Sequence, residues 1–349
     1  MPPATPLRQP ADATHGRIQD SGFRAHPLLR NPHLQTMLPA LLRPTPPLDW
    51  RRERLELDDG DFVDLGWAGT EQTGAPTAVL VHGLTGGFES KYLRGLALQL
   101  IDLGWRICAL QLRGGGESPN RLARCYHHGD SADLRHLWHL LRHREPVAIV
   151  ATVGWSLGGN VVLKALGEEG DQAPVDFAAA ASVPFSLYEC AERLRHGVAR
   201  IYQSHLLGAL RRMIRHKASR VDLSAIDLDA VLSAPDFFTF DDGFTAPLNG
   251  FANAHDYYAR AACGPYLQAI RRPTLIVHAQ DDPMMVREII PRAEALSPFV
   301  TLQLSTHGGH VGFVEAGPQG RPRMWLERHF AEFLQRQRVE REGASRAVA

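Results

Sequence analysis

Short apolar runs rich in β-branched residues alternate with helix-length segments along most of this chain, and that alternation constrains the fold more than any other feature. The pattern reads strand over 77–81, helix over 91–103, strand over 106–112, helix over 131–143, strand over 147–153, helix over 158–168 and strand over 176–183. Parallel neighbours need a long crossover between them, so this order predicts an α/β chain: a mostly parallel central sheet with helices on both faces. The alternation lapses between about 185 and 265. It resumes with a strand over 273–279, a helix over 284–296, a strand over 299–304 and a last helix over 322–338. The interruption reads as a helical cap inserted into one core. The expected organisation is a flexible tail over 1–22, a core built from 23–184 and 266–338, a cap or lid over 185–265, and a C-terminal tail over 339–349. Ahead of the first core strand, RRERLELDDGDFVDLGWAG alternates around Asp59-Gly60 and reads as a hairpin.

Composition narrows the function. Lys+Arg and Asp+Glu are equal at 38 each, so no overall basic field draws nucleic acid. The four cysteines, Cys108, Cys125, Cys190 and Cys263, form no C-x-x-C pair and read as free thiols in a reducing compartment. The N-terminus carries prolines and charges where an export signal needs an apolar stretch, and the longest nearly apolar run, Phe177 to Leu187, is too short to span a bilayer. These features point to a cytoplasmic protein without stable membrane insertion. His136, His139 and His143 share a helix face but have no Cys or Glu set beside them, and Arg113-Gly114-Gly115-Gly116 lacks the G-x-G-x-x-G completion. Neither a metal nor a cofactor is expected.

One of the strand-to-helix turns carries chemistry. Gly154-Trp155-Ser156-Leu157-Gly158 has the spacing G-x-S-x-G between the strand VAIVATV and the helix pattern NVVLKALGEEG, the context in which a serine is held up as a nucleophile. A hydroxyl attacks poorly until a base takes its proton, so Ser156 needs a histidine and a carboxylate to orient it. On such turns the partners follow in the order acid, then histidine. PTLIVHA runs into Asp281-Asp282-Pro283, and VTLQLS runs into His307-Gly308-Gly309-His310. Asp282 is preferred to Asp281 for its place three residues beyond the strand end. His310 is preferred to His307 because two glycines let the loop fold the later histidine back over the serine. An oxyanion needs two N–H donors: one is expected from Leu157 at the start of the helix, the other from Leu84 in His82-Gly83-Leu84-Thr85-Gly86-Gly87.

With these residues in place the chain resembles the α/β-hydrolases, and more narrowly the YheT-like family, which is related to the eukaryotic abhydrolase-domain-containing acylglycerol lipases and phospholipases. The likeness extends from about Phe23 to Phe333. It rests on RNPHLQTML (30–38), DGDFVDLGW (59–67), HGLTGGFESKYLRGL (82–96), RGGGESPNR (113–121), GWSLGGN (154–160), DDP (281–283) and HGGHVGF (307–313). The resemblance implies a serine carboxylesterase acting on acyl esters, short-chain esters or acylglycerols, with Ser156, Asp282 and His310 matching the triad. The chain departs at Gly115, where relatives usually carry cysteine, and at Trp155, commonly Tyr or Phe. The membrane anchor of the eukaryotic relatives has no counterpart in this N-terminus.

Two other functions share these residues. An acyltransferase would pass the same acyl group to an alcohol or thiol, and a ligand-binding protein would use the scaffold without chemistry, although such proteins usually lose a triad member. Arg211, Arg212, Arg215, His216, Lys217 and Arg220 mark a basic amphipathic helix. It reads as a cap helix with a solvated charged face, leaving room only for transient contact with a lipid surface. The aromatic-rich stretch 236–263 is expected to pack the cap on the core and to line an acyl pocket.

Overall fold

The computed structural model describes residues 14–348. Among them nine strands form one sheet in the order β1-β9-β8-β7-β6-β4-β5-β3-β2. In chain order these are β1 (Arg17–Asp20), β2 (Arg51–Glu56), β3 (Phe62–Gly69), β4 (Thr77–Val81), β5 (Arg106–Gln111), β6 (Val150–Trp155), β7 (Phe177–Ala181), β8 (Thr274–Ala279) and β9 (Val300–Ser305). Every pair from β1 across to β5 is parallel. The β2–β3 hairpin joins antiparallel at the other edge, with Gly66 facing Ala109. Strands β4, β6, β7 and β8 are buried along their whole length, as both-face coverage requires.

Helices α1 (Pro32–Leu41), α2 (Lys91–Asp102), α3 (Ala132–Arg144) and α4 (Leu157–Glu169) precede the insertion. Between β7 and β8 lie α5 (Leu187–Leu194), α6 (Ala199–Ala218), α7 (Leu228–Ser233), α8 (Phe237–Phe240), α9 (Ala246–Leu248) and α10 (Ala254–Ala261). These surround an apolar cluster of their own, including Leu207, Ile214, Phe240, Phe244 and Tyr257. A ribbon of β10 (Val314–Ala316) and β11 (Pro322–Met324) leads into α11 (Trp325–Val348).

Four expectations need correction. Within the tail expected over 1–22, residues Arg17–Asp20 pair in parallel with β9. Main-chain bonds supply what a polar sequence lacks, and Gly16 permits the approach because a Cβ there would lie 2.6 Å from Leu296 Cβ. Residues 1–13 lie outside the described residues. The C-terminal tail expected from 339 continues α11 instead, supported by i,i+4 pairs such as Arg338–Glu342 at 2.8 Å. The helix expected over 284–296 is broken into two 3₁₀ turns, Arg287–Ile289 and Ala293–Ala295, because Pro291 removes a donor and clashes with the preceding turn. Finally, Lys217 is not on a solvated face. It is 1% exposed, and its Nζ donates to Asn120 Oδ1 and to Arg124 O across the junction between insertion and core.

The connectivity selects the position of the site. From β4 the chain continues to β5 on one side and then crosses to β6 on the other, so the loops leaving β4 and β6 diverge around a crevice at the carboxyl ends of the strands. Ligands of open α/β sheets bind at such a reversal.

Candidate active site

Ser156 sits on the turn between β6 and α4 with φ 51° and ψ −119°, a conformation that L-residues avoid. The glycines around it are demanded by close packing. A Cβ on Gly154 would lie 2.3 Å from Gly158 O, and one on Gly158 would lie 2.3 Å from Val81 O and 2.4 Å from His82 O. The serine is thereby driven up at the end of the strand, beside the loop that leaves β4. Trp155 packs beneath it against Tyr92 and Phe330, with ring centroids 5.0 and 6.3 Å away.

The structure brings the expected partners together. His310 Nε2 lies 3.0 Å from Ser156 Oγ, and His310 Nδ1 lies 2.7 Å from Asp282 Oδ2. The Asp282 side chain is 1% exposed. Burial opposes its ionisation, but the facing His310 and the Met284 N–H outweigh that and hold the carboxyl below its usual value. The neighbours take other tasks: Asp281 Oδ1 accepts the Gly309 N–H at 3.0 Å, and Oδ2 faces His307 Nδ1 at 3.3 Å.

The amides around Leu84 are sorted in the same way. Gly83 N–H donates to Tyr92 Oη at 2.9 Å and Thr85 N–H to Tyr126 Oη at 2.8 Å. Among the described residues the N–H groups of Leu84 and Leu157 donate to no protein acceptor. His82 fixes the loop from below. Its Nε2 accepts the Leu112 N–H at 3.1 Å, which leaves Nδ1–H to donate to Gly83 O at 2.7 Å. Burial pushes this imidazole down to about 4, so the ring is neutral at pH 7.

Sequence reasoning missed what holds His310. Its loop is strained, with Val311 at φ 61° and Phe313 at φ 45°, and α1 clamps it. Thr36 Oγ1 accepts the His310 N–H at 2.9 Å, Gln35 Oε1 accepts the Val314 N–H at 2.6 Å, and Gln35 Nε2 donates to Val314 O at 3.1 Å. Ser182 Oγ accepts the Val311 N–H at 3.0 Å. A Cβ on Gly312 would stand 2.0 Å from Gln35 O. Asn31 caps α1, accepting from the amides of His33 and Leu34, so NPHLQT and HGGHVGF are two halves of one contact. The motifs were visible in the sequence; their mutual contact, across more than 270 positions, was not.

A cavity of about 440 Å³ opens over Ser156. Its walls are mostly apolar, with Leu187, Leu194, Leu206 and Phe237 from the insertion and Met284 and Met285 from the loop after β8. The aromatic stretch divides its labour: Phe237 and Tyr258 line this cavity, while Phe240 and Phe244 pack inside the insertion. Asp241, also in the wall, was not foreseen. It lies on a π-helical turn, Asp241–Thr245, is 8% exposed, and its carboxylate receives two hydroxyls, Thr245 Oγ1 at 2.5 Å and Tyr258 Oη at 2.8 Å. Burial pushes its carboxyl up to about 7.

The loop after β5 is structural. Arg113 spans Asp59 Oδ2 at 2.7 Å, Asp61 Oδ2 at 3.1 Å and Asp133 Oδ1 at 2.6 Å. A Cβ on Gly115 would already lie 2.9 Å from Gln111 Nε2. Among the described residues no group of three or more His, Cys, Asp or Glu side chains is placed to hold a metal ion.

Comparison with known proteins agrees with this architecture. A family model described as the α/β-hydrolase fold matches residues 76–317. YheT of Escherichia coli is 40% identical over 307 residues, covering 87% of this chain and 90% of that one. Human phospholipase ABHD3 is 28% identical over 309 residues, covering 86% and 75%. Monoacylglycerol lipase of Saccharomyces cerevisiae is 29% identical over 266 residues, covering 74% and 59%. Among solved structures, the Pyrococcus furiosus esterase Pf2001 superposes with a TM-score of 0.54 at 17% identity, covering 83% and 91%, a likeness of fold. With its matched core and these relatives, the chain belongs to the α/β-hydrolase family, in its YheT-like branch.

Proposed function

We propose that this protein is a carboxylic ester hydrolase in which Ser156 is the nucleophile, His310 the general base and acid, and Asp282 the residue that orients His310. The observation that carries the reading is the single hydrogen-bonded line from Asp282 Oδ2 through both ring nitrogens of His310 to Ser156 Oγ. In the proposed reaction Ser156 Oγ attacks the ester carbonyl while His310 Nε2 takes its proton. Asp282 stabilises the imidazolium that results, and the unspent N–H groups of Leu84 and Leu157 receive the oxyanion. Collapse expels the alcohol, protonated by His310. Water activated by the same imidazole then releases the acid and regenerates the serine.

The substrates proposed are acyl esters, either short-chain esters or acylglycerols, whose acyl part occupies the apolar cavity. The names of the phospholipase and monoacylglycerol lipase relatives support that class. The segment 185–265 is proposed to act as a cap, since its side chains close one side of the cavity over Ser156. Hydrolysis of 4-nitrophenyl esters of rising chain length tests the reading. The expected result is a burst of nitrophenol equal to the enzyme present, abolished in Ser156→Ala. Undiminished turnover by that variant refutes it. Product analysis with added alcohol separates hydrolysis from acyl transfer.

A further inference from the structure

Two stretches of this chain contain no carboxylate: 21–48, with Arg24, Arg30 and Arg43, and 193–221, with seven arginines and Lys217. In a protein whose formal charge is zero, that is a strong local separation of charge. The fold brings the two stretches together. His33 Nδ1 on α1 lies 2.8 Å from Tyr202 Oη on α6, and the two rings stack with centroids 5.9 Å apart.

On the segments that carry this contact large apolar side chains stand in solvent. Leu28 is 80% exposed, Leu41 65% and Leu42 73% on the α1 side; Val198 is 51% and Ile201 61% on the α6 side. Apolar residues scattered singly over a surface are ordinary, but a group on two touching elements is not. Along α6 the same face continues from Ile201 through His205 and Gly208 to Arg212 and Arg215, at spacings of three and four. Among the described residues none of Arg30, Arg200, Arg212 and Arg215 is paired with a carboxylate. Another side of α1 faces the catalytic machinery: Thr36, Pro39 and Ala40 line the cavity over Ser156, as do Arg43 just beyond the helix and Leu206 of α6.

We propose that the face formed by 27–43 and the beginning of α6 docks on an anionic lipid surface, seating its leucines among the acyl chains and its arginines against the headgroups, with the wall of the Ser156 cavity held at that surface. Apolar residues on two carboxylate-free stretches, where among the described residues Arg30 and Arg200 pair with no carboxylate and Glu192 and Glu327 are taken up by Arg195 and Arg43, match a bilayer interface carrying anionic lipid. Contact is peripheral: among the described residues no helix is long and apolar enough to cross a membrane. The docking surface uses residues distinct from Ser156, Asp282 and His310, so it stands or falls apart from the ester-hydrolase reading.

Co-sedimentation of the full chain carrying Ser156→Ala with phosphatidylcholine vesicles, with and without phosphatidylglycerol, is the test. Binding is expected only with phosphatidylglycerol and is expected to weaken in high salt. Leu41→Asp with Leu42→Asp should lower the partition coefficient more than about tenfold, and Arg30→Glu with Arg200→Glu about tenfold, each with an unchanged thermal unfolding midpoint to show an intact fold. Equal binding to both vesicles, no binding at low salt, or undiminished binding by the Leu41/Leu42 variant would each overturn the proposal. So would a dimer in solution that the Leu41/Leu42 variant dissolves, since the face would then belong to a second copy.

Discussion

Thr36 Oγ1 accepts the backbone N–H of His310 at 2.9 Å, from a helix 274 positions earlier in the chain. The hydroxyl also donates to Pro32 O at 2.8 Å, so it is oriented before it meets the histidine loop. Thr36→Val keeps the shape and leaves the His310 amide without an acceptor, which costs about 1–3 kcal/mol when buried. The expected result is a roughly tenfold fall in kcat with little change in KM, restored by Thr36→Ser. Steady-state kinetics on a soluble ester measures both.

The two adjacent aspartates are predicted to separate by function. Asp282→Asn removes the charge facing His310 and should lower kcat by roughly 10³–10⁴. Asp281→Asn retains an acceptor for the Gly309 N–H and should cost less than about tenfold. A larger loss from Asp281→Asn would reassign the acid.

Glycine substitutions should act in opposite directions at two sites. Gly158→Ala forces a Cβ to within 2.3 Å of Val81 O, so the fold must shift; destabilisation of more than about 3 kcal/mol is expected. Gly208, inside α6, would place a Cβ with only Arg212 Nη1 nearby, at 3.8 Å. Gly208→Ala should therefore stabilise by about 1 kcal/mol. Thermal unfolding of the two variants compares them directly.

Asp241 predicts a pH-dependent stability. Its folded value, pushed to about 7 by burial, lies above the ordinary carboxylate value of 3.8. A raised value means that its favourable contribution is complete below about pH 4 and disappears as the pH rises through 7. Asp241→Asn has no such loss, so the variant should gain on the wild type between pH 5 and pH 8 by an amount on the order of a few kcal/mol. Denaturant titrations at the two pH values measure it, and a pH-independent difference would contradict it.

The parallel sheet, the β2–β3 hairpin and the serine turn were legible because each depends on local pattern: buried β-branched runs, a turn dipeptide, and glycines that nothing larger could replace. Asp282 and His310 could be preferred to Asp281 and His307 as candidates because of their places after strand ends and the loop glycines, and the structure sets both in line with Ser156. The rest required the fold. RIQD becomes β1 only because β9 offers an open edge, Pro291 outweighs the helical periodicity around it, and Lys217 is buried by a loop that arrives from the core. The tyrosines that take up the amides of Gly83 and Thr85, and the carboxyl of Asp241 in the cavity wall, have no local signature at all.

The central claim is that Ser156 is an activated nucleophile, and labelling with a fluorophosphonate probe tests it most directly. The account predicts a single adduct, located on Ser156 by mass spectrometry and lost when His310 is replaced by alanine. A folded protein that takes up no label, or takes it on another serine, would contradict it.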